Sequence, residues 1–264
     1  MKYKLIGVDF DGTLLTDNKE VSNKTIKSLK NARKQGIIIV AVTGRTIESV
    51  KNVININLFD YLILNNGSTI YSTKNKEKIF DNYIDKEYAK DITNILEDSS
   101  NKIDYCTFEN YYTYKADVPE NIKFIIKVNS IEEVKDNISK MNIFINKDYI
   151  LNDKINEISK YQEELKIIIM QDSDSEKQWI VITPKGISKK KALENLGEYL
   201  NIDMDDMIFF GDGLNDIEAI SSVGMGIAMG NALEIVKENS KDITKSNNDN
   251  GIAYYINRNI LKSE

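Results

Sequence analysis

The stretch KLIGVDFDGTLLT, residues 4–16, constrains the fold more than any other part of the chain. Leu5, Ile6 and Val8 make an apolar run bounded by turn signals and too short for a helix, the pattern of a buried strand. That strand delivers two carboxylates, Asp9 and Asp11, at its carboxyl end, and Gly12 comes next, where a strand breaks. Open α/β sheets bind ligands outside the carboxyl ends of their strands, so the position suits chemistry. Two ionised carboxylates this close repel, and a cation is the economical compensation. Oxygen ligands of this kind suit magnesium. A calcium-loop pattern finds Glu20 at its last position but Leu14 where its glycine belongs, and a strand precedes it instead of a helix. The calcium loop is rejected.

The same design recurs along the chain. Ser22 or Asn23 caps a helix over 25–34, with Gly36 as its stop. Its lysines read as a solvated face. Residues 37–42, IIIVAV, form a second continuously apolar strand that ends in Thr43-Gly44-Arg45, ahead of another helix start. A third strand over 61–64 ends in Asn65-Asn66-Gly67, followed by a short hairpin. Ser188 caps an amphipathic helix, and a strand at 207–210 ends in Gly211-Asp212-Gly213-Leu214-Asn215-Asp216. Strands alternating with helices imply βαβ units and a parallel sheet.

From residue 84 the pattern changes. A helix over 85–98 leads to strands near 102–108, 111–115 and 123–129. Ser130 with Glu133 forms a capping box for a helix to about 141. A strand at 143–147, a helix at 151–164 and strands at 166–171 and 177–183 complete the segment. The sequence therefore predicts an α/β core, residues 1–83 and 187–264, interrupted by an α+β domain over 84–186. The aromatics of that insert (Tyr105, Phe108, Tyr111, Tyr112, Tyr114) are expected to pack across and beneath a sheet.

The most useful count is zero histidine. It excludes Ser-His-Asp and Cys-His nucleophile pairs, histidine zinc sites and histidine bases together. Proton transfer must then fall to Asp, Glu, Lys or Tyr. A net charge of −6 argues against a nucleic-acid partner. No apolar run reaches the length of a membrane span, and the amino terminus is too short and too acidic for a signal peptide. The single cysteine, Cys106, cannot form an internal disulfide, which fits a reducing cytoplasm. A cytoplasmic monomer with no membrane partner is expected.

In a parallel sheet the ends carrying Asp9 and Asp11, Thr43 and Gly44, and Asp212 and Asp216 share one edge with the helix start at Lys189. The set has a consistent use. Asp9 and Asp212 hold magnesium, while the ion, Lys189 and the Thr43-Gly44 turn neutralise a phosphoryl group. An aspartate is then a competent nucleophile toward phosphorus.

DFDGTLL, VTGR, GISK and GDGLND, in that order, resemble the four motifs of the haloacid dehalogenase superfamily. The later MGNA and NNDNG sharpen the similarity to its Cof-type phosphatases. The resemblance covers essentially the whole chain and implies a Rossmann-like parallel-sheet core with an inserted α+β cap that selects substrates. It implies Asp9 as nucleophile and magnesium ligand, and Asp11 as general acid/base whose backbone carbonyl also binds the metal. Thr43 with the amides of Gly44 and Phe10 matches the phosphate cradle, and Lys189, the first of three consecutive lysines, matches the residue that steadies phosphate and nucleophile. Asp212 matches the acidic metal ligand, Asp216 its supporting acid in the metal site, and Asn215 a phosphate or substrate contact. The implied activity is magnesium-dependent hydrolysis of phosphate monoesters of small metabolites through an aspartyl-phosphate. Sugar phosphates, pyridoxal phosphate and flavin mononucleotide are the substrate types. A phosphomutase of the same fold and a weakly active phosphometabolite-binding protein are the alternatives.

Overall fold

The computed structural model describes residues 2–146, 152–171 and 178–261. Its elements run β1 (Leu5–Asp9), α1 (Asn23–Lys34), β2 (Ile38–Val42), α2 (Ile47–Lys51), β3 (Tyr61–Leu64), β4 (Thr69–Ser72) and β5 (Glu77–Asp81). Then come α3 (Lys86–Leu96), β6 (Ser100–Cys106), β7 (Tyr111–Tyr114), β8 (Ile125–Val128), β9 (Lys140–Ile145), α4 (Asn152–Ile158), β10 (Leu165–Gln171) and β11 (Gln178–Pro184). The chain finishes with α5 (Lys189–Leu200), β12 (Met207–Gly211), α6 (Ile217–Ser222), β13 (Met225–Ala228), α7 (Glu234–Glu238), β14 (Asp242–Ile243) and α8 (Gly251–Asn259). No described helix is long and apolar enough to cross a membrane.

The chain divides into two compact units. One comprises Met1–Gly44, Val50–Ile79 and Ser188–Glu264; the other comprises Arg45–Ser49 and Phe80–Ile187. The second thus includes 84–186 together with 80–83, Ile187, which the sequence reading places in the core, and Arg45–Ser49, which runs into α2.

The first unit is built on a sheet of order β14-β13-β12-β1-β2-β3-β4-β5. Every residue of β1 is buried, which is why its run is apolar on both faces and not alternating. β1 pairs in parallel with β12 and β2, and β2 with β3, while β4 turns back antiparallel on β3. The register sets Val8 beside Phe210 and Asp9 beside Val42. Asp9, Thr43 and Asp212 therefore leave neighbouring strands at one edge, by hydrogen-bond register alone.

Two caps fix helix starts in this unit. Ser22, and not Asn23, caps α1 by accepting from Thr25 N–H, and Gly36 past its end takes φ +87°. Ser188 caps α5 through Lys191 N–H at 3.1 Å. The buried residues of α5, Lys189, Ala192, Leu193, Leu196 and Gly197, keep helical spacing along one face. The turn Asn65-Asn66-Gly67 runs at positive φ throughout, and a Cβ on Gly67 would lie 2.5 Å from the Ser188 carbonyl oxygen. Glycine is needed there for close approach as well as conformation.

The second unit holds a sheet of order β10-β11-β9-β6-β7-β8, antiparallel except for β7 with β8. Its core gathers Ile92 and Leu96 of α3 with Ile103, Tyr105, Met141, Ile143, Ile180 and Ile182 of the sheet. Tyr105 and Tyr112 are buried within that core, as packing aromatics.

The expected helix over 130–141 does not form. Ser130 accepts from Glu132 N–H and Glu133 accepts from Asn129 N–H, so the local cap bonds exist but close only a 3-10 turn, Ile131–Glu133. Residues 140–145 instead form β9, between β11 and β6. Pairing on both edges and burial of Met141, Ile143 and Ile145 outweigh a local helix signal. The helix expected over 151–164 likewise ends at Ile158 and gives way to a 3-10 turn, Ser159–Tyr161. Residues 147, 151 and 177 of the expected elements lie outside the described residues.

Candidate active site

Lys189 is the centre of the cluster. Its Nζ lies 2.6 Å from Asp9 Oδ1 and 2.7 Å from Asp216 Oδ1, and all three side chains are at least nine-tenths buried. A buried ammonium is tolerated only when paired and hydrogen-bonded, and this one is doubly paired. Asp216 Oδ2 accepts from the N–H groups of Asp212 and Gly213 at 3.1 and 3.0 Å. That carboxylate thus joins Lys189 to the turn after β12. Thr13 Oγ1 donates to Asp212 Oδ1 at 2.7 Å.

One cation faces more than one carboxylate. Burial pushes the Asp9 carboxyl up to about 8, against the pull of Lys189 and helped by Asp216 and Asp212. Burial also raises Asp212, opposed by the Thr13 hydrogen bond and reinforced by Asp216. Burial works against the Lys189 charge too, but Asp216 and Asp9 together outweigh it and hold the ammonium above its usual range. The pocket therefore carries excess negative charge, the condition that a divalent cation relieves.

The residues fit such a cation. Asp9, Asp212 and Asp216 each offer an oxygen within 4.8 Å of the others. An all-oxygen set suits a hard ion such as magnesium. Gly12 sits at φ +79°, and any Cβ there would run into the Asp212 carboxylate. Only glycine lets the loop after β1 lie against this acid.

The other candidate residues surround this group. Asp11 stands outside the buried set, with its carboxylate half-exposed and 3.2 Å from Lys19 Nζ. Thr43 is buried, with its N–H on the Ile63 carbonyl and its own carbonyl accepting from Asn66 N–H. A Cβ on Gly44 would lie 2.8 Å from Asn66 Oδ1, so the turns after β2 and β3 are pressed together. Phe10 is fully buried and its carbonyl accepts from Leu15 N–H. Asn215 is exposed on the turn after β12. Of the three consecutive lysines only Lys189 enters the cluster; Lys190 and Lys191 reach Glu194 on the surface of α5.

Motif reading missed several contributors. Thr13 orients Asp212, Lys19 meets Asp11, and Asn231 Nδ2 donates to the Gly12 carbonyl at 2.8 Å. Asn231 lies in MGNA, so its stretch was visible but its partner, 219 residues away, was not.

Strand ends of a largely parallel sheet thus meet at a buried lysine shared by two aspartates, and the sequence comparison supplies the class of protein that carries them. The chain belongs to the haloacid dehalogenase-like hydrolases, whose family model matches residues 6–256. Among its relatives is the 5-amino-6-(5-phospho-D-ribitylamino)uracil phosphatase YcsE of Bacillus subtilis, 30% identical over 98% of this chain and 96% of that protein. Solved structures of the same fold include a haloacid dehalogenase-like hydrolase from Bacteroides thetaiotaomicron, at 26% identity and TM-score 0.80, covering 97% of this chain and 99% of that one. TM0651 from Thermotoga maritima aligns at 27% identity and TM-score 0.79, over 99% and 98% of the two chains.

Proposed function

We propose that this protein is a magnesium-dependent phosphatase that hydrolyses phosphate monoesters of small metabolites through a phosphorylated Asp9. The observation that carries the reading is the buried Lys189 bonded to both Asp9 and Asp216, with Asp212 alongside. Lys189 engages Asp9 Oδ1, which supports Oδ2 as the attacking atom. That oxygen attacks phosphorus in line and the P–O bond to the alcohol breaks. Asp11 protonates the departing oxygen. Asp11 then takes a proton from water, whose oxygen attacks the same phosphorus, releasing inorganic phosphate and restoring the Asp9 carboxylate. Lys189 and the Thr43-Gly44 turn hold the phosphoryl oxygens, with the Phe10 amide and Asn215 as further contacts. Magnesium, held by Asp9 and Asp212 with Asp11 and Asp216 in support, would supply charge neutralisation at those oxygens.

The likeness to YcsE favours a phosphate carried on a sugar or sugar-alcohol chain; pyridoxal phosphate and flavin mononucleotide types stay in the panel to be tested. The strand-end motifs carry only phosphate-handling groups, which supports assigning leaving-group discrimination to residues 84–186. A cytoplasmic setting belongs to the same proposal, supported by a lone, buried Cys106 that forms no internal disulfide.

Phosphate release from a panel of phosphorylated metabolites, with magnesium and with excess chelator, tests this reading. Activity should require magnesium, and Asp9→Asn should fold normally yet lose nearly all turnover. Retention of more than about a tenth of the wild-type rate, some 1.4 kcal/mol of barrier, would reject Asp9 as nucleophile. A protein with 84–186 replaced by a short linker that still ranked the panel as the intact chain does would reject the assignment of specificity.

A further inference from the structure

The loop beyond Asp11 is tied down from the far end of the chain. Asn231 Nδ2 donates to the Gly12 carbonyl at 2.8 Å, and Asn247 N–H donates to Asn231 Oδ1 at 3.0 Å, which fixes the orientation of that amide. Asn247 Nδ2 donates to the Leu15 carbonyl at 2.9 Å and to Asp17 Oδ1 at 3.1 Å. Asn248 Nδ2 donates to Asp17 Oδ2 at 2.8 Å, and Asn248 Oδ1 accepts from Asp17 N–H at 3.1 Å. The two asparagine bonds hold the Asp17 carboxyl below its ordinary range, so it stays a charged acceptor.

These bonds land on both sides of one functional group. Gly12 is the residue after Asp11, and its left-handed backbone sets the loop against Asp212. Asp17 lies in the turn closed by Thr16 N–H to the Glu20 carbonyl and Lys19 N–H to the Thr16 carbonyl. That turn presents Lys19 Nζ to the Asp11 carboxylate at 3.2 Å. The clasp therefore holds the peptide beyond Asp11 and the cation facing its side chain.

We infer that Asn231, Asn247 and Asn248, acting through Gly12 and Asp17, are positioning residues for Asp11 in proton transfer. The inference rests on the phosphatase reading and adds to it a specific demand. A general acid has to stand within hydrogen-bond reach of the oxygen it protonates, and small displacements cost rate steeply. Asp11 is half-exposed and not locked by burial as Asp9 is, so its placement depends on the loop that carries it.

The signature is dependence on the leaving group. An alkoxide must be protonated as it departs, whereas p-nitrophenolate departs without help. Wild-type and Asn231→Ala, Asn247→Ala and Asp17→Asn proteins are assayed with magnesium on p-nitrophenyl phosphate and on the best alkyl phosphate of the panel. Wild-type hydrolysis of the two esters tests the phosphatase reading by itself; the change in their rate ratio tests the clasp. In the variants kcat/KM, which reports phosphorylation of Asp9 and departure of the alcohol and not the later attack of water that Asp11 also assists, should fall on the alkyl ester about tenfold or more beyond any fall on the aryl ester. Asp17→Asn, nearly isosteric, keeps the test alive if an alanine variant does not fold. Asn257→Ala removes the acceptor of the Ser28 hydroxyl, a bond of the same kind between α8 and α1, and should keep the wild-type ratio. Equal losses of kcat/KM on both esters, no loss, or the same skew in Asn257→Ala would overturn the inference.

Discussion

Asp9 is the residue on which the proposed chemistry turns, and its charge is set by its surroundings. Burial raises its pKa from 3.8 to about 8. A carboxyl group with a raised folded pKa binds its proton more tightly when folded. Its contribution to stability is fully present below about pH 4 and is lost as pH rises through about 8. In excess chelator the wild-type melting temperature should therefore fall between about pH 5 and about pH 8.5 more steeply than that of Asp9→Asn, and magnesium should remove the difference. Matching slopes in differential scanning calorimetry would show that Asp9 does not titrate in this window. Asp9, Asp212 and Lys189 were legible in the sequence because each ends a strand or directly follows a strand or a cap. Lys19, Asn231 and Asn247 were not, since their roles come from partners brought together by folding. A side-chain amide in a loop carries no periodic signal of the group it will meet.

At the scale of elements, the same contrast separates the features that local chemistry decides from those that pairing decides. The cap of α5 was readable at Ser188, and the structure has its hydroxyl on Lys191 N–H. The cap at Ser130 was equally readable, yet the chain beyond it pairs as β9. The difference lies in the residues downstream of each cap. Residues 189–200 bury one helical face, whereas 140–145 carry Met141, Ile143 and Ile145 at strand spacing, all buried. Parallel strands such as β1 and β12 were legible as continuous apolar runs because both faces are covered. The cap of α5 also matters for the site, because Lys189 is the first residue of that helix. Ser188→Ala should lower unfolding free energy by about 1 kcal/mol. A loss of kcat should accompany it at temperatures where the variant is fully folded, because Lys189 is less well held. Denaturant titration together with steady-state rates checks this; an unchanged kcat would mean that α5 is held by its packing alone.

At the scale of the molecule, every residue assigned to the chemistry belongs to the first unit: Asp9, Phe10, Asp11, Thr43, Gly44, Lys189, Asp212, Asn215 and Asp216. Those residues are scattered over more than two hundred positions and gathered by sheet order, so the division of labour is written in topology. The second unit, with its own core and sheet, contributes none of them. The central claim is that phosphate passes through Asp9. It is tested most directly by mixing enzyme with substrate and magnesium, quenching in acid during turnover, reducing with borohydride and sequencing the peptide that spans 4–16 by mass spectrometry. An aspartyl-phosphate is converted by that treatment to homoserine. The account predicts homoserine at position 9 alone, absent in excess chelator and without substrate. Steady phosphate release with Asp9 unmodified, or the label at another acid, would contradict it.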